Sequence, residues 1–259
     1  MSGSFRSPAT FIEVRISRYI GNFRLDLLAL TLLALAALAV AGRAWLAENP
    51  QHDPWAPLNL DDPPGWATAT KIAALRGDVE ACRAVLERSG VAFTALDPAG
   101  EGACRRSDRT VLDEGMLAPA RPASTCAVAA AYTNWMRRGI QPAAQEILGT
   151  RVVGVRHLGS YSCRRLYGRD SGPWSEHATG NALDIAAFEL EDGRTITLLQ
   201  DWNGEEDGGA DSGEAAFLRQ IRDAACDSFG TVLSPDYNRA HADHFHLDQA
   251  DRSFGSVCR

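Results

Sequence analysis

Two short segments hold most of the residues that could do chemistry. The first is Ser175-Glu176-His177-Ala178-Thr179-Gly180-Asn181-Ala182-Leu183-Asp184, in which a His on a Gly-containing turn is followed seven residues later by an Asp. The second is His241-Ala242-Asp243-His244-Phe245-His246-Leu247-Asp248. In an extended strand His244 and His246 point to the same face, so both imidazoles can address one point in space. Two His and one carboxylate, with a fourth position left open, make the donor set of a catalytic zinc site rather than a closed structural one. Four of the six His fall in these segments, and His52 and His157 read as ordinary.

The elements that must position these residues follow from periodicity and punctuation. Asp78 to Ser89 has a helical apolar face. Ser124 to Arg138 is a clearer helix, with Ser124 as cap, Val128, Tyr132, Trp135 and Met136 at helical spacing, and Gly139 as stop. Pro142 to Leu148 reads as a short helix with Pro in its first turn, and Asp211 to Cys226 as another. Strand-like alternation marks Arg151 to His157 and His244 to Asp248. Leu183 to Leu190 and Arg194 to Leu199 flank Asp192-Gly193 as a hairpin. The acidic, Gly-rich stretch Asp201 to Glu214 reads as a solvated insertion whose spacing fits no EF-hand loop.

Charge and cysteine usage bound the setting. The net charge is -7, but residues 1–46 hold five Arg against Glu13 and Asp26, a net of +3, which leaves -10 on the rest. So acidic a domain excludes a nucleic-acid partner, because it has no basic stripe to release counterions. Sixteen uncharged residues separate Asp26 from Arg43. The division expected is a basic cytoplasmic arm over 1–24, a transmembrane anchor or cleavable signal over 25–46, a Pro-rich linker over 47–70 and a folded domain over 71–259. All six Cys (82, 104, 126, 163, 226 and 258) follow the apolar run, which suggests three disulfides in an oxidising compartment. Sequence proximity pairs Cys82 with Cys104, Cys126 with Cys163 and Cys226 with Cys258.

Ser175 to Asp184 matches the Ser-x-His-x-x-Gly-x-Ala-x-Asp motif at all five fixed positions, Ser175, His177, Gly180, Ala182 and Asp184. With His244-Phe245-His246 as the closing His-x-His, the chain resembles the LAS metallopeptidases. That group contains bacterial D-Ala-D-Ala carboxypeptidases, peptidoglycan endopeptidases and the hedgehog-type zinc fold. Residues from about 80 onward also resemble the bacterial extensin-like C-terminal domain family, through GSYSCR (159–164), SEHATGNALDI (175–185), Asp192-Gly193-Arg194 and HADHFHLD (241–248).

The resemblance implies Zn²⁺ held by His177, Asp184 and His246, with a water at the open position made acidic by the metal. It leaves two candidates for the general base, Asp243 and His244, of which strand geometry favours His244. Arg164 would steady substrate or the developing oxyanion. Ser175, His241 and Asp248 are the candidates to support the ligands from behind. The expected fold is α+β, a small antiparallel sheet flanked by helices around a zinc cleft and stapled by disulfides, with one N-terminal membrane helix. The function implied is a zinc peptidase acting on peptidoglycan peptides from the inner membrane, its domain in the periplasm, or free there if the signal is cleaved. The alternative is a zinc-bearing wall-binding or scaffold domain without turnover.

Overall fold

The computed structural model describes residues 23–203, 213–251 and 256–259. The basic arm up to Asn22 and most of the acidic stretch Asp201 to Glu214 lie outside the described residues. The chain divides into two compact units, Met1–Glu48 and Asn49–Arg259. In the first, helix α1 (Phe23–Glu48) runs for 26 residues. It is long and apolar enough to cross a membrane, as an anchor or as a signal sequence, since about 20 residues span a bilayer core of about 30 Å.

The second unit begins earlier than proline content suggested. Residues 49–70 are not a free spacer: Leu58 and Leu60 are buried in the core, Arg88 donates to the Leu58 carbonyl and Lys71 Nζ to that of Pro50. Proline stiffens such a stretch but does not stop two leucines from docking. Helices α2 (Thr68–Ala74) and α3 (Val79–Arg88) follow, the latter capped by Asp78, which accepts from Ala81 N at 2.9 Å. Strands β1 (Phe93–Ala95) and β2 (Thr110–Leu112) form a two-stranded ribbon, and β3 (Leu117–Ala118) leads into helix α4 (Cys126–Trp135).

Every residue of α4 is buried, which makes it the centre of the domain. Thr125, rather than Ser124, caps it. Gly139 does not stop it either. The helical path continues through a π turn (Met136–Ile140), the short α5 (Gln141–Ala143) and a second π turn (Ala144–Leu148), and ends at Gly149 with φ +68°. Gly139 instead marks a close approach, because a Cβ there would lie 2.9 Å from both Ala224 Cβ and Trp135 Cδ1. The π turns absorb Pro142 without ending the helix.

The main sheet contains β3, β4 (Val152–Gly159), β5 (Ala182–Leu190), β6 (Thr195–Thr197), β7 (Thr231–Leu233), β8 (Phe245–Asp248) and β9 (Val257–Cys258). Its order is β3-β4-β5-β8-β7-β9, with β6 also paired to β5. The expected small antiparallel sheet is therefore a larger, mixed one. The central strands are antiparallel, while β3 pairs with β4 and β9 with β7 in parallel. Those two short strands return from long connections, which permits the parallel sense. Helix α6 (Leu198–Asp201) follows β6, and the amphipathic α7 (Gly213–Ala225) packs with α4 over the sheet.

One sheet face supplies the core. Trp135 lies edge-on to Phe188, Phe229 and Phe245 at centroid distances of 6.1–6.4 Å, and its indole N–H donates to the Ile221 carbonyl at 2.7 Å. Three disulfides staple the domain, and two of the pairings differ from those that proximity suggested. Cys82 joins Cys126, Cys104 joins Cys163, and Cys226 joins Cys258 as expected. The packing of α3 on α4 sets Cys82 against Cys126 across 44 residues of chain, so spatial neighbours overrule sequence neighbours.

Candidate metal centre

The opposite face of the same two strands carries the polar set. In β5 and β8 the side chains of Leu183, Ile185, Phe245 and Leu247 are buried in the core. Alternation then sends Asp184 and His246 the other way. The antiparallel register pairs Asp184 directly with His246. Two residues 62 apart in sequence thus become lateral neighbours.

His177 reaches them from a 3₁₀ turn, Glu176–Thr179. Ser175 caps that turn, its Oγ accepting from the His177 backbone N–H at 3.3 Å. Gly180, at φ +75°, adopts the left-handed conformation that lets the chain turn from His177 into β5. The turn is clamped from both sides, Ser162 N donating to the His177 carbonyl and Thr125 N to that of Gly180.

Three donor groups converge. His177 Nε2 lies 3.1 Å from Asp184 Oδ2 and 3.1 Å from His246 Nδ1, and His246 Nδ1 lies 2.9 Å from Asp184 Oδ1. A tetrahedral zinc with bonds of about 2.0–2.1 Å places its ligand atoms about 3.4 Å apart. The His177–Asp184 and His177–His246 separations are within a few tenths of an ångström of that edge, His246 meets the other Asp184 oxygen, and no other described residues form such a group. Two imidazole nitrogens facing each other with a carboxylate between them fit a cation better than they fit one another. Asp248 completes the arrangement behind His246, its Oδ2 3.1 Å from Nε2 and its Oδ1 accepting from Ala250 N. That partner orients the ring with Nε2 toward Asp248 and Nδ1 toward Asp184 and His177.

The electrostatics reflect this crowding without a metal. Burial would raise the Asp184 carboxyl pKa, but hydrogen bonds from His177 and His246 and their charge hold it well below the usual carboxylate range. Burial opposes the charge of His246, and the carboxylates of Asp184 and Asp248 outweigh it, raising its pKa to about 9. His241 moves the other way, to about 4, first through burial and then through His244 and His246 beside it.

Of the two candidate bases, His244 lines the cleft and Asp243 contacts it from outside the lining. His244 Nδ1 is 2.8 Å from Asp243 Oδ1, while its Nε2 points toward Asp184 Oδ1 at 3.8 Å. The Asp243 side chain is 57% exposed and that of His244 only 12%. Strand β8 begins at Phe245, so this pair sits on the preceding turn and is free of strand alternation. His241 lines the cleft with Nδ1 bonded to Asn238 Oδ1 at 2.9 Å and orients neither base by a hydrogen bond. Ser175 holds the turn through its backbone contact and does not take the His177 ring N–H. Arg164 lines the same cleft, which has a volume of about 150 Å³. Leu166, Tyr167, Leu233 and Ala240 line it too and were not foreseen. Only Tyr167, an aromatic in an Arg-rich run, carried a signal in the sequence.

The fold and site define a disulfide-stapled α+β domain with a candidate three-ligand metal centre on the side of its sheet opposite the apolar core. The profile of the extensin-like protein C-terminus matches residues 80–259, and the chain belongs to this family. No curated protein and no solved structure matches it.

Proposed function

We propose that the chain is a zinc-dependent peptidase that hydrolyses amide bonds in peptidoglycan peptides, of the kind the LAS resemblance implies. The observation that carries this reading is the convergence of His177, Asp184 and His246 at the floor of a cleft that also presents the Asp243–His244 pair. These three residues would hold zinc. When bound, it supplies Lewis-acid polarisation of a carbonyl and lowers the pKa of a water to about 7.

The chain's own groups supply the rest. Asp243 accepts the Nδ1–H of His244, which fixes the tautomer and leaves the Nε2 lone pair facing the cleft. His244 Nε2 takes a proton from the attacking water, holds it as an imidazolium beside Asp243, and delivers it to the leaving amine. Asp248 and Ser175 hold His246 and the His177 turn in place. Arg164 presents a permanent positive charge to the carbonyl oxygen or to a substrate carboxylate. Three disulfides and a preceding apolar helix support a bacterial inner-membrane location with the domain in the periplasm, where peptidoglycan is the amide-rich polymer at hand.

Purified peptidoglycan incubated with the oxidised, zinc-loaded chain should release new peptide fragments by mass spectrometry. His246→Ala should release none, and His244→Gln should release none while still binding one zinc per chain. Zinc binding without any cleavage by the intact chain would overturn the peptidase reading and favour a wall-binding domain.

A further inference from the structure

A lobe of the chain between Arg164 and Ser175 contributes Arg164, Leu166, Tyr167 and Ser175 to the lining of the candidate metal cleft. Its two arms are tied by the Arg165–Trp174 bridge and by the backbone bonds Ser175 N to Arg164 O and Leu166 N to Pro173 O. Its base is fixed to the site twice. Ser175 caps the His177 turn, and Cys163 is bonded to Cys104. Whatever this lobe presents is therefore held in register with the metal ligands.

What it presents is positive and aromatic, in a chain whose net charge is -7. The lobe carries Arg164, Arg165 and Arg169 against Asp170 alone. Among the described residues none of the three guanidinium groups makes an ion pair, a state they share with Arg106, Arg109 and Arg138 elsewhere in the domain. Arg165 is occupied otherwise, stacked 4.4 Å over the Trp174 ring and donating to the Gly172 carbonyl. Arg169 lies 5.6 Å from the Tyr167 ring, and Tyr167 lines the cleft itself. Tyr167 is 56% exposed and holds φ +56°, ψ 22°, a left-handed conformation disfavoured by a side chain with a Cβ. Such strain persists where the surroundings enforce it, and it turns a large ring toward the cleft instead of the core.

We propose that Arg169, beside the cleft-lining Tyr167, forms with it an anion subsite that takes a side-chain carboxylate of an acidic peptide bound at the metal centre. The inference rests on the peptide-cleaving reading of that centre. Tyr167 seats the Arg169 guanidinium, which forms a charge-assisted pair with the incoming carboxylate, while Arg164 remains free for the group in the cleft. The subsite selects for an acidic residue and rejects its amide.

The test uses the full chain in detergent with zinc and the His244→Gln background, so that binding is read whether or not turnover occurs. The probes are an alanine-rich pentapeptide with one side-chain carboxylate and the same peptide with that carboxylate amidated. The free acid should bind about fivefold more tightly than the amide, and Arg169→Ala should erase that preference while leaving amide binding unchanged, as expected for a solvent-facing pair. Tyr167→Gly, which keeps the positive φ without strain, should also erase it without lowering thermal stability. Equal binding of acid and amide by the parent chain, no binding of either, or an unchanged preference in Arg169→Ala would overturn the subsite. If the parent chain cleaves nothing yet shows a preference that Arg169→Ala removes, the peptidase reading fails and the subsite stands.

Discussion

Zinc binding to this chain should be coupled to release of the His246 proton. The unligated ring is buried between Asp184 at 2.9 Å and Asp248 at 3.1 Å, and these carboxylates raise its pKa to about 9. Coordination through Nδ1 requires that nitrogen's lone pair, so the metal must displace a proton. At pH 7 the ring is about two pH units below its pKa, so competition weakens zinc binding about 100-fold, or about 2.7 kcal/mol, relative to the deprotonated site. The sign follows from a pKa raised above its ordinary 6.5. The His246 charge stabilises the unligated fold fully below that ordinary value, and this contribution is lost as pH rises through about 9. Over the same window zinc affinity should climb about tenfold per pH unit and level off above it. Calorimetric titrations in buffers of different ionisation enthalpy, with a competing chelator, would measure both quantities. One proton per zinc is expected at pH 7. Asp248→Asn should reduce that proton release and still weaken zinc about 10- to 100-fold, because one amide oxygen cannot accept from both His246 Nε2 and Ala250 N as the two carboxylate oxygens do. An affinity that stays flat across the window, with no proton released, would refute this account of the site.

Two further predictions concern the scaffold. Gly139→Ala should destabilise the domain by about 1–2 kcal/mol despite alanine's better helix propensity, because the new methyl meets Ala224 and Trp135 at 2.9 Å. A calorimetric melting temperature equal to or above that of the parent would show that the π turn at Gly139 and α7 are not so closely apposed. Removing the Cys104–Cys163 bridge with paired serines should cost up to about 4 kcal/mol, from chain entropy over a separation of 59 residues, and should also weaken zinc binding, since the freed loop carries the Ser162 bond to His177. Removing Cys226–Cys258 should lower stability but leave zinc affinity intact, and equal loss of zinc affinity in both pairs would contradict that division.

The two segments that meet in the site were legible because strand alternation is a strict period: His246 two residues from Asp248, and Asp184 between Leu183 and Ile185, carry their facing in their spacing. The Asp192-Gly193 turn was legible for a similar reason, with Gly193 at φ +89° and Asp192 accepting from Arg194 N. Features that depend on distant partners were not. Gly139 reads as a stop in isolation, and only the presence of Ala224 reveals a contact. Leu58 and Leu60 were masked by surrounding prolines. The contact between Asp243 and His244 was not legible because alternation was extended one residue too far, beyond the start of β8 at Phe245. Disulfide partners follow the packing of helices, which spacing along the chain does not encode.

The Asp184–His246 register gives the centre an unusual sensitivity profile. Substitutions around it act locally, but a single-residue insertion or deletion within β8 or β5 acts as a frameshift in space. It would carry His246 to the face now held by Phe245 and Leu247, and bring a leucine or phenylalanine opposite Asp184. A two-residue deletion would restore the facing and set Asp248 opposite Asp184, replacing an imidazole with a second carboxylate. Length variation in this domain should therefore be confined to its loops, with the spacing inside these two strands behaving as a code read in units of two.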